Sequence, residues 1–266
     1  AMSGVYQHVY LAPHYDDATL SCGGMIHQHA QAGQPVLVVT VCAAPPDSIE
    51  RLSPLAQSQH EQWGDPQDAM ATRQAEDQAA MQILGADYLR LRFTDCIYRG
   101  EPRSDIWYYL GEADLFGEVH PADRAVAADI AAAVLELVPP GDDATIYAPL
   151  TAGHHVDHQL TNKAAWELGQ RGYRLAFYED YPYVDPYFSP KYHHTDPVAL
   201  AARQVRPLRT QLHPLSSEDL AAKIESIGAY NSQIPILFGT TGKMAACVRR
   251  YARHVGGGQW AERVWV

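Results

Sequence analysis

The chain has 266 residues, enough to bury a large core without disulfide staples. Hydrophobic residues at 47% and charged residues at 19% exclude a disordered chain, and no apolar run approaches the ~18 residues of a membrane span. A formal net charge of -11 repels phosphate backbones and anionic lipid, which argues against nucleic acid or membranes as partners.

The N-terminal stretch from Ala1 to Gln7 lacks the basic and apolar segments of a secretory leader. Ala1 ahead of Met2 reads as a scar of tag cleavage, so a single domain over 2–266 is expected. Cys22, Cys42, Cys96 and Cys247 are widely spaced, with no CxxC pair, and read as small buried hydrophobes. Together these features predict a cytoplasmic protein with reduced thiols.

The first apolar run, 5–12, predicts a strand that stops at Pro13. A helix is expected over 18–30 despite Gly23-Gly24, with Gly33 closing it. The Val-rich run 35–42 predicts a second strand buried on both faces, as in a parallel sheet. Residues 43–65 show no clear period and read as a long loop. An amphipathic helix over 68–84 and a strand over 87–93 follow. Next comes an aromatic, Gly-punctuated excursion over 94–121, holding Tyr98, Trp107, Tyr108, Tyr109 and Phe116. Loops this long are commonly functional, and its ring content argues against disorder. The pattern then predicts a helix over 123–138, a strand over 145–149, a helix over 157–170 and a strand over 174–178. A Tyr/Pro/His-rich loop spans 182–197, and helices over 217–230 and 242–254 precede a closing strand at 261–266. The alternation predicts an α/β fold, Rossmann-like, with a mostly parallel sheet and helices on both faces.

Two polar clusters follow predicted strands. Pro13-His14-Tyr15-Asp16-Asp17 comes after the first, and Gly153-His154-His155-Val156-Asp157-His158 after the fourth. Ligands of open α/β sheets bind outside the carboxyl ends of the strands, so both clusters sit where chemistry is expected. His14 and Asp17 are three residues apart, as are His155 and His158, a spacing that shares one face of a helical turn. Two imidazoles and a carboxylate make a catalytic zinc set with a position left open for water. Asp16 then offers a base, and His155 an electrostatic or acid group. The competing reading makes Asp16, Asp17 and Asp157 helix caps and the histidines surface residues. Its weakness is that both clusters fall at strand ends.

The sequence PHYDD followed by Leu20 and Gly23-Gly24 resembles the pattern AHPDDExxLGxGG of the LmbE-like, PIG-L deacetylases. The distal HVDH is similar to the HPDH of that family, with further likeness at Arg73-xx-Glu76, Leu84-Gly85, Tyr178-Glu179 and Lys223…Tyr230-Asn231-Ser232-Gln233. The likeness runs from about Val5 to Gln233. It implies a Rossmann-like PIG-L domain and zinc-dependent deacetylation of an N-acetylated amino sugar or related conjugate. By the same resemblance, His14, Asp17 and His158 are the ligands of one zinc ion per chain and Asp16 is the general base. His155 stabilises the oxyanion, oriented by Asp157, while Arg73 and Asp95 contact substrate. Tyr15 replaces the family's proline and Ala18 its glutamate. These departures put any network through that glutamate in doubt and point to a divergent branch whose substrate need not be a glucosamine conjugate.

The reading leaves open whether Asp16 or His155 protonates the departing amine, and leaves homo-oligomerisation open. Two alternatives stand beside it: a non-catalytic sugar- or nucleotide-binding module, and a metallohydrolase of a non-sugar amide. The first lacks GxGxxG after the first strand, and Gly239 to Lys243 (GTTGK) lacks the spacing of a phosphate loop. A phosphoester-cleaving metalloenzyme would commonly carry two metals and more carboxylates. Specificity is expected in segments 43–65, 94–121 and 182–197, with Trp107 and Tyr98 either lining the pocket or packing as a satellite core. His193-His194 reads as a solvated loop pair.

Overall fold

Strand β1 (His8–Ala12) lies at the middle of the molecule, paired with a parallel neighbour on either side. The computed structural model describes residues 6–48, 50–63, 69–101, 103–139, 144–188 and 194–266. After β1 the chain forms α1 (Asp17–Gln31), β2 (Val36–Thr40), α2 (Pro54–Trp63), α3 (Ala69–Leu84) and β3 (Asp87–Arg90). A 3₁₀ turn (Cys96–Tyr98), the short α4 (Glu112–Leu115) and α5 (Val126–Leu137) lead to β4 (Thr145–Pro149). Then come α6 (Val156–Gly169), β5 (Arg174–Tyr178), α7 (Pro197–Ala202), β6 (Thr210–Pro214) and α8 (Ser217–Gly228). Helices α9 (Ile234–Leu237) and α10 (Thr241–Val255) precede β7 (Ala261–Trp265).

The strands form one sheet in the order β3-β2-β1-β4-β5-β7-β6. The first five are parallel, and β7 runs antiparallel between β5 and β6. This is the α/β, mostly parallel arrangement that the alternating elements predict. Successive side chains of β1 point to opposite faces. Val9 and Leu11 join one core cluster with Ile130 and Val134 of α5 and Leu160 and Leu168 of α6. Tyr10 and Ala12 join the other, with Met25 and Ile26 of α1 and Met81 and Leu84 of α3. Helices therefore cover both faces, and every residue of β2 is buried, as its continuous Val content requires.

The chain leaves β1 in opposite lateral directions toward β2 and β4. That strand pair is the topological switch point, where the two strand-end loops open a crevice. Gly24 of α1 has a specific role nearby. A Cβ there would sit 2.6 Å from the Leu215 side chain, and its amide donates to Glu262 Oε1 at 3.0 Å. The helix thus packs closely on the segments before α8 and in β7.

Several expectations are corrected. Segment 43–65 is not a continuous loop, because α2 occupies residues 54–63. Ser53 Oγ accepts the Ala56 N–H at 2.9 Å, Pro54 opens the helix, and Ala56, His60 and Trp63 form its buried stripe. The stripe includes a histidine, so hydrophobic periodicity does not reveal it. Strand β6, absent from the sequence reading, is an exposed edge with no apolar alternation. The 182–197 loop ends in α7, capped by Asp196. The helix expected from 123 begins only at Val126, after a 3₁₀ turn over Pro121–Asp123. Gly64, Asp65, Asp68, Gly141 and His193 lie outside the described residues. Among the described residues, no helix is long and apolar enough to cross a membrane.

Candidate active site

The loops after β1 and β4 meet at the switch point and bring His14, His155 and His158 together. One ring nitrogen from each lies within 4.8 Å of the others. These residues do not share a helical face as their spacing suggests. His14 precedes α1, and His155 is the extended N-cap of α6 (φ -62°, ψ 134°), with only His158 inside the helix. Convergence comes from strand adjacency instead. The turn between β4 and α6 is unusual: Thr151, Gly153 and His154 all have positive φ. A Cβ on Gly153 would stand 2.5 Å from the Tyr183 ring, so glycine there satisfies both the left-handed backbone and the ring packing.

Asp17 is the centre of the arrangement. Its Oδ2 accepts the His14 backbone N–H at 2.7 Å and lies 3.2 Å from His14 Nδ1 and 3.3 Å from His158 Nε2. The far side of each imidazole is held by another carboxylate. His14 Nε2 lies 3.0 Å from Asp157 Oδ2, and His158 Nδ1 lies 2.6 Å from Asp180 Oδ1. The second oxygen of Asp180 accepts the Ala152 N–H at 3.0 Å. A carboxylate behind an imidazole fixes which nitrogen bears hydrogen and raises the basicity of the other. His14 Nδ1 and His158 Nε2 thus both face Asp17 Oδ2.

The charge distribution agrees with this geometry. Burial disfavours the protonated form of His158, but Asp17 and Asp180 outweigh it and push its pKa up to about 10. Burial opposes charge on Asp17 too, yet His158 and His14 hold its carboxyl well below the usual range.

His155 behaves differently. Burial, then the neighbouring His14 and His158, keep its pKa well below the usual imidazole value, so the ring is neutral. Its Nδ1 accepts the Asp157 backbone N–H at 3.2 Å, which leaves the single proton on Nε2. A nitrogen in that state donates a hydrogen bond. Orientation of His155 by Asp157 is therefore a main-chain effect. The Asp157 carboxylate faces His14 instead.

Asp16 occupies the N-cap position of α1 without a side-chain capping bond. Its Oδ1 is 3.2 Å from Arg73 Nη2, and burial raises its pKa against the lowering effect of Arg73. Arg73 lies between the Trp63 and Tyr15 rings, 4.7 and 5.4 Å from their centroids. Asp95 Oδ1 accepts the Ile97 N–H at 3.1 Å, and its Oδ2 lies 3.5 Å from His14 Nε2. All of the predicted residues except Asp157 line one cleft of about 360 Å³, and Asp157 lies directly behind it.

Leu55, Gln59 and Trp63 of α2 form one wall of the cleft, and Ile97, Glu112, Leu115 and Phe116 of the excursion form another. Tyr183 and Phe116 meet His158 and His155 edge to face, at 6.4 and 5.4 Å between centroids. Trp107 and Tyr98 line a separate cavity of about 350 Å³ on the other side of the excursion. Tyr98 also joins a satellite core with Ala56, Trp63, Ile97 and Tyr109. The excursion is therefore divided between cleft wall and packing. Sequence reasoning missed Asp180, Arg99 and Gln59, and it named Gln233 only as part of a motif, without a place in the cleft. Asp180 is two residues beyond the recognised Tyr178, and its signal was an acidic residue just past a strand end.

Residues 9–168 match the family described as PIG-L, GlcNAc-PI de-N-acetylase. The chain belongs to this family. It is accordingly a deacetylase, a hydrolase of an amide bond. It is similar to the 2'-N-acetylparomamine deacetylase of Niallia circulans, 29% identical over 189 residues that cover 66% of this chain and 66% of that protein. The enzyme of the same name from Streptomyces fradiae is 29% identical over 268 residues, covering 96% of this chain and 79% of the relative. Among solved structures, the zinc-inhibited form of the teicoplanin deacetylase Orf2 superposes with a TM-score of 0.81 at 26% identity, covering 97% of this chain and 96% of that one.

Proposed function

We propose that the protein removes the N-acetyl group of an amino sugar carried on a larger conjugate, using one zinc ion held by His14, Asp17 and His158. One observation carries this reading: two imidazoles, each backed by its own carboxylate, converge on a single oxygen of Asp17. Two nitrogens and one oxygen suit a zinc site that keeps a position open. When bound there, zinc supplies the Lewis acidity that activates water and polarises the amide carbonyl.

The chain's own residues perform the remaining work. Asp16, buried beside Arg73 with a raised proton affinity, takes the proton of the attacking water. The His155 Nε2–H stabilises negative charge growing on the carbonyl oxygen, a contribution of about 3 kcal/mol for one such donor. Asp16, protonated once it has taken the water proton, returns that proton to the departing amine, while the neutral His155 keeps its Nε2–H as a hydrogen-bond donor. The cleft volume of about 360 Å³ suits one or two sugar rings, with aromatic faces at Trp63, Phe116 and Tyr183 and polar ends at Gln59 and Gln233. The likeness to a 2'-N-acetylparomamine deacetylase and to a teicoplanin deacetylase supports this substrate class here.

Acetate release from a panel of N-acetylated amino-sugar conjugates and simple acetamides tests this directly. The zinc-loaded protein is expected to turn over sugar conjugates, and Asp16→Asn to fail on them. Turnover confined to non-sugar amides would contradict the substrate class.

A further inference from the structure

Arg99 follows the 3₁₀ turn of the excursion and is buried, facing the second cavity rather than the cleft. Its Nη2 donates to Asp157 Oδ1, and its Nη1 donates to the Thr94 carbonyl at 3.3 Å. Its Nε lies 2.8 Å from Asp123 Oδ2, close enough for an ion pair though not aligned for a hydrogen bond. Asp123 in turn accepts the Tyr109 hydroxyl at 2.8 Å, and the guanidinium sits 5.6 Å from the Tyr109 ring centroid. On the other side, Asp157 Oδ2 accepts the Cys96 N–H at 3.0 Å and holds His14 Nε2 at 3.0 Å. A continuous chain thus runs from Tyr109 through Asp123, Arg99 and Asp157 to His14.

The Asp157 side chain is fully buried. A buried carboxylate must be met by fixed partners. The Arg99 guanidinium on Oδ1 and the Cys96 N–H on Oδ2 hold the Asp157 carboxylate in one orientation, with Oδ2 against His14 Nε2. His14 Nε2 is thereby held against Asp157 Oδ2, which turns its Nδ1 toward Asp17 Oδ2 at 3.2 Å.

We propose that Arg99 is a positioning residue for His14, acting through Asp157, and that Asp123 and Tyr109 make the 94–121 excursion part of that support. This rests on the reading of His14 as a metal ligand. The excursion then has two functions: its Phe116 side walls the cleft, and its Tyr109 side sets the orientation of one metal-binding imidazole.

The test is zinc affinity of metal-stripped protein, measured by chelator competition at fixed pH, with melting temperature recorded alongside. Loss of a group that supports a ligand typically weakens metal binding about 10–100-fold. Arg99→Lys keeps the charge but loses the forked geometry, and a weakening in that range is expected. Asp157→Asn should weaken binding similarly, and the double variant Arg99→Met with Asp157→Asn should bind zinc no more weakly than Asp157→Asn alone. That equality identifies action through Asp157, which a merely structural arginine would not produce. If Arg99→Lys does not fold, the charge-balanced double variant carries the test against Asp157→Asn. Arg99→Lys with parental zinc affinity and only a lower melting temperature overturns the proposal, as does a further tenfold loss in the double variant. The His14→Ala arm separates the two readings. Parental affinity there removes the metal role of His14 itself, and the role of Arg99 with it.

Discussion

Strand β1 has a histidine near each end, and the two environments are opposites. Beyond its carboxyl end, His14 meets His155 and His158 among the carboxylates of Asp17, Asp157 and Asp180. At its start, His8 stacks on His29 of α1 with centroids 3.6 Å apart, and His213 of β6 approaches His29 edge-on at 6.3 Å. The partners in this second cluster are the hydroxyls of Tyr147 and Tyr10 and the amide of Gln34. The Arg174 charge acts on His8 and the Glu262 charge on His213, and the Glu262 carboxylate is already bound to Lys223 and two amides of α1. His158 is pushed up to about 10, whereas burial, then His8 and His213, push His29 down to about 3. What separates the two clusters is the carboxylates behind the rings, which orient the imidazoles and favour positive charge at the centre.

The strongest way to break this contrast is to remove a central group. His158→Ala and Asp17→Ala are expected to lose zinc and to lower kcat/KM by at least about 10³-fold, beyond the 10–100-fold typical of losing a supporting residue. Metal content by emission spectroscopy and acetate release measure the two effects, and full zinc retention would exclude the residue as a ligand. Asp16→Asn should keep its zinc and lose about 10²–10⁴-fold in kcat, because it removes a base and no ligand. Turnover near the parent's would rule out that role.

The opposite end of β1 provides a sharper test of the contrast, read in stability. With His29 depressed to about 3, the folded protein binds fewer protons than the unfolded chain between that value and about 6.5. Stability therefore falls as pH falls through this window, at up to about 1.4 kcal/mol per pH unit from this one group. Urea unfolding at a series of pH values should show a shallower acid slope for His29→Gln than for the parent. An unchanged slope would mean that His29 is not the group responsible.

The smallest expected effect concerns the excursion. Trp107→Ala, which faces the second cavity, should lower the melting temperature and leave kcat/KM for any substrate nearly unchanged. Phe116→Ala, which faces the cleft, should raise KM while zinc content stays at the parental level. A shift in substrate preference on losing Trp107 would contradict this division.

How much of this was legible in the sequence depended on range. The strands 145–149 and 174–178 match their expected bounds because short apolar runs are fenced by Gly, Pro and Asp. Helix α2 and strand β6 were not legible, since the buried face of one includes His60 and the other is an exposed edge. The two histidine motifs were legible as a candidate site because each lies at a strand end. The groups behind them were not, since Arg99 reaches Asp157 across 58 positions and Asp180 reaches His158 across 22. Neither pairing leaves a local pattern. The β1–β4 adjacency that joins the motifs is a property of strand order, which hydrophobic periodicity does not encode.

The central claim, that carboxylate-backed imidazoles and not histidine clusters as such bind the metal, can be tested by zinc-edge anomalous diffraction from crystals grown with zinc. One peak per chain is expected, at about 2.0–2.2 Å from His14 Nδ1, an Asp17 carboxylate oxygen and His158 Nε2. A peak ligated by His155 in place of Asp17, or one seated among His8, His29 and His213, would contradict the account.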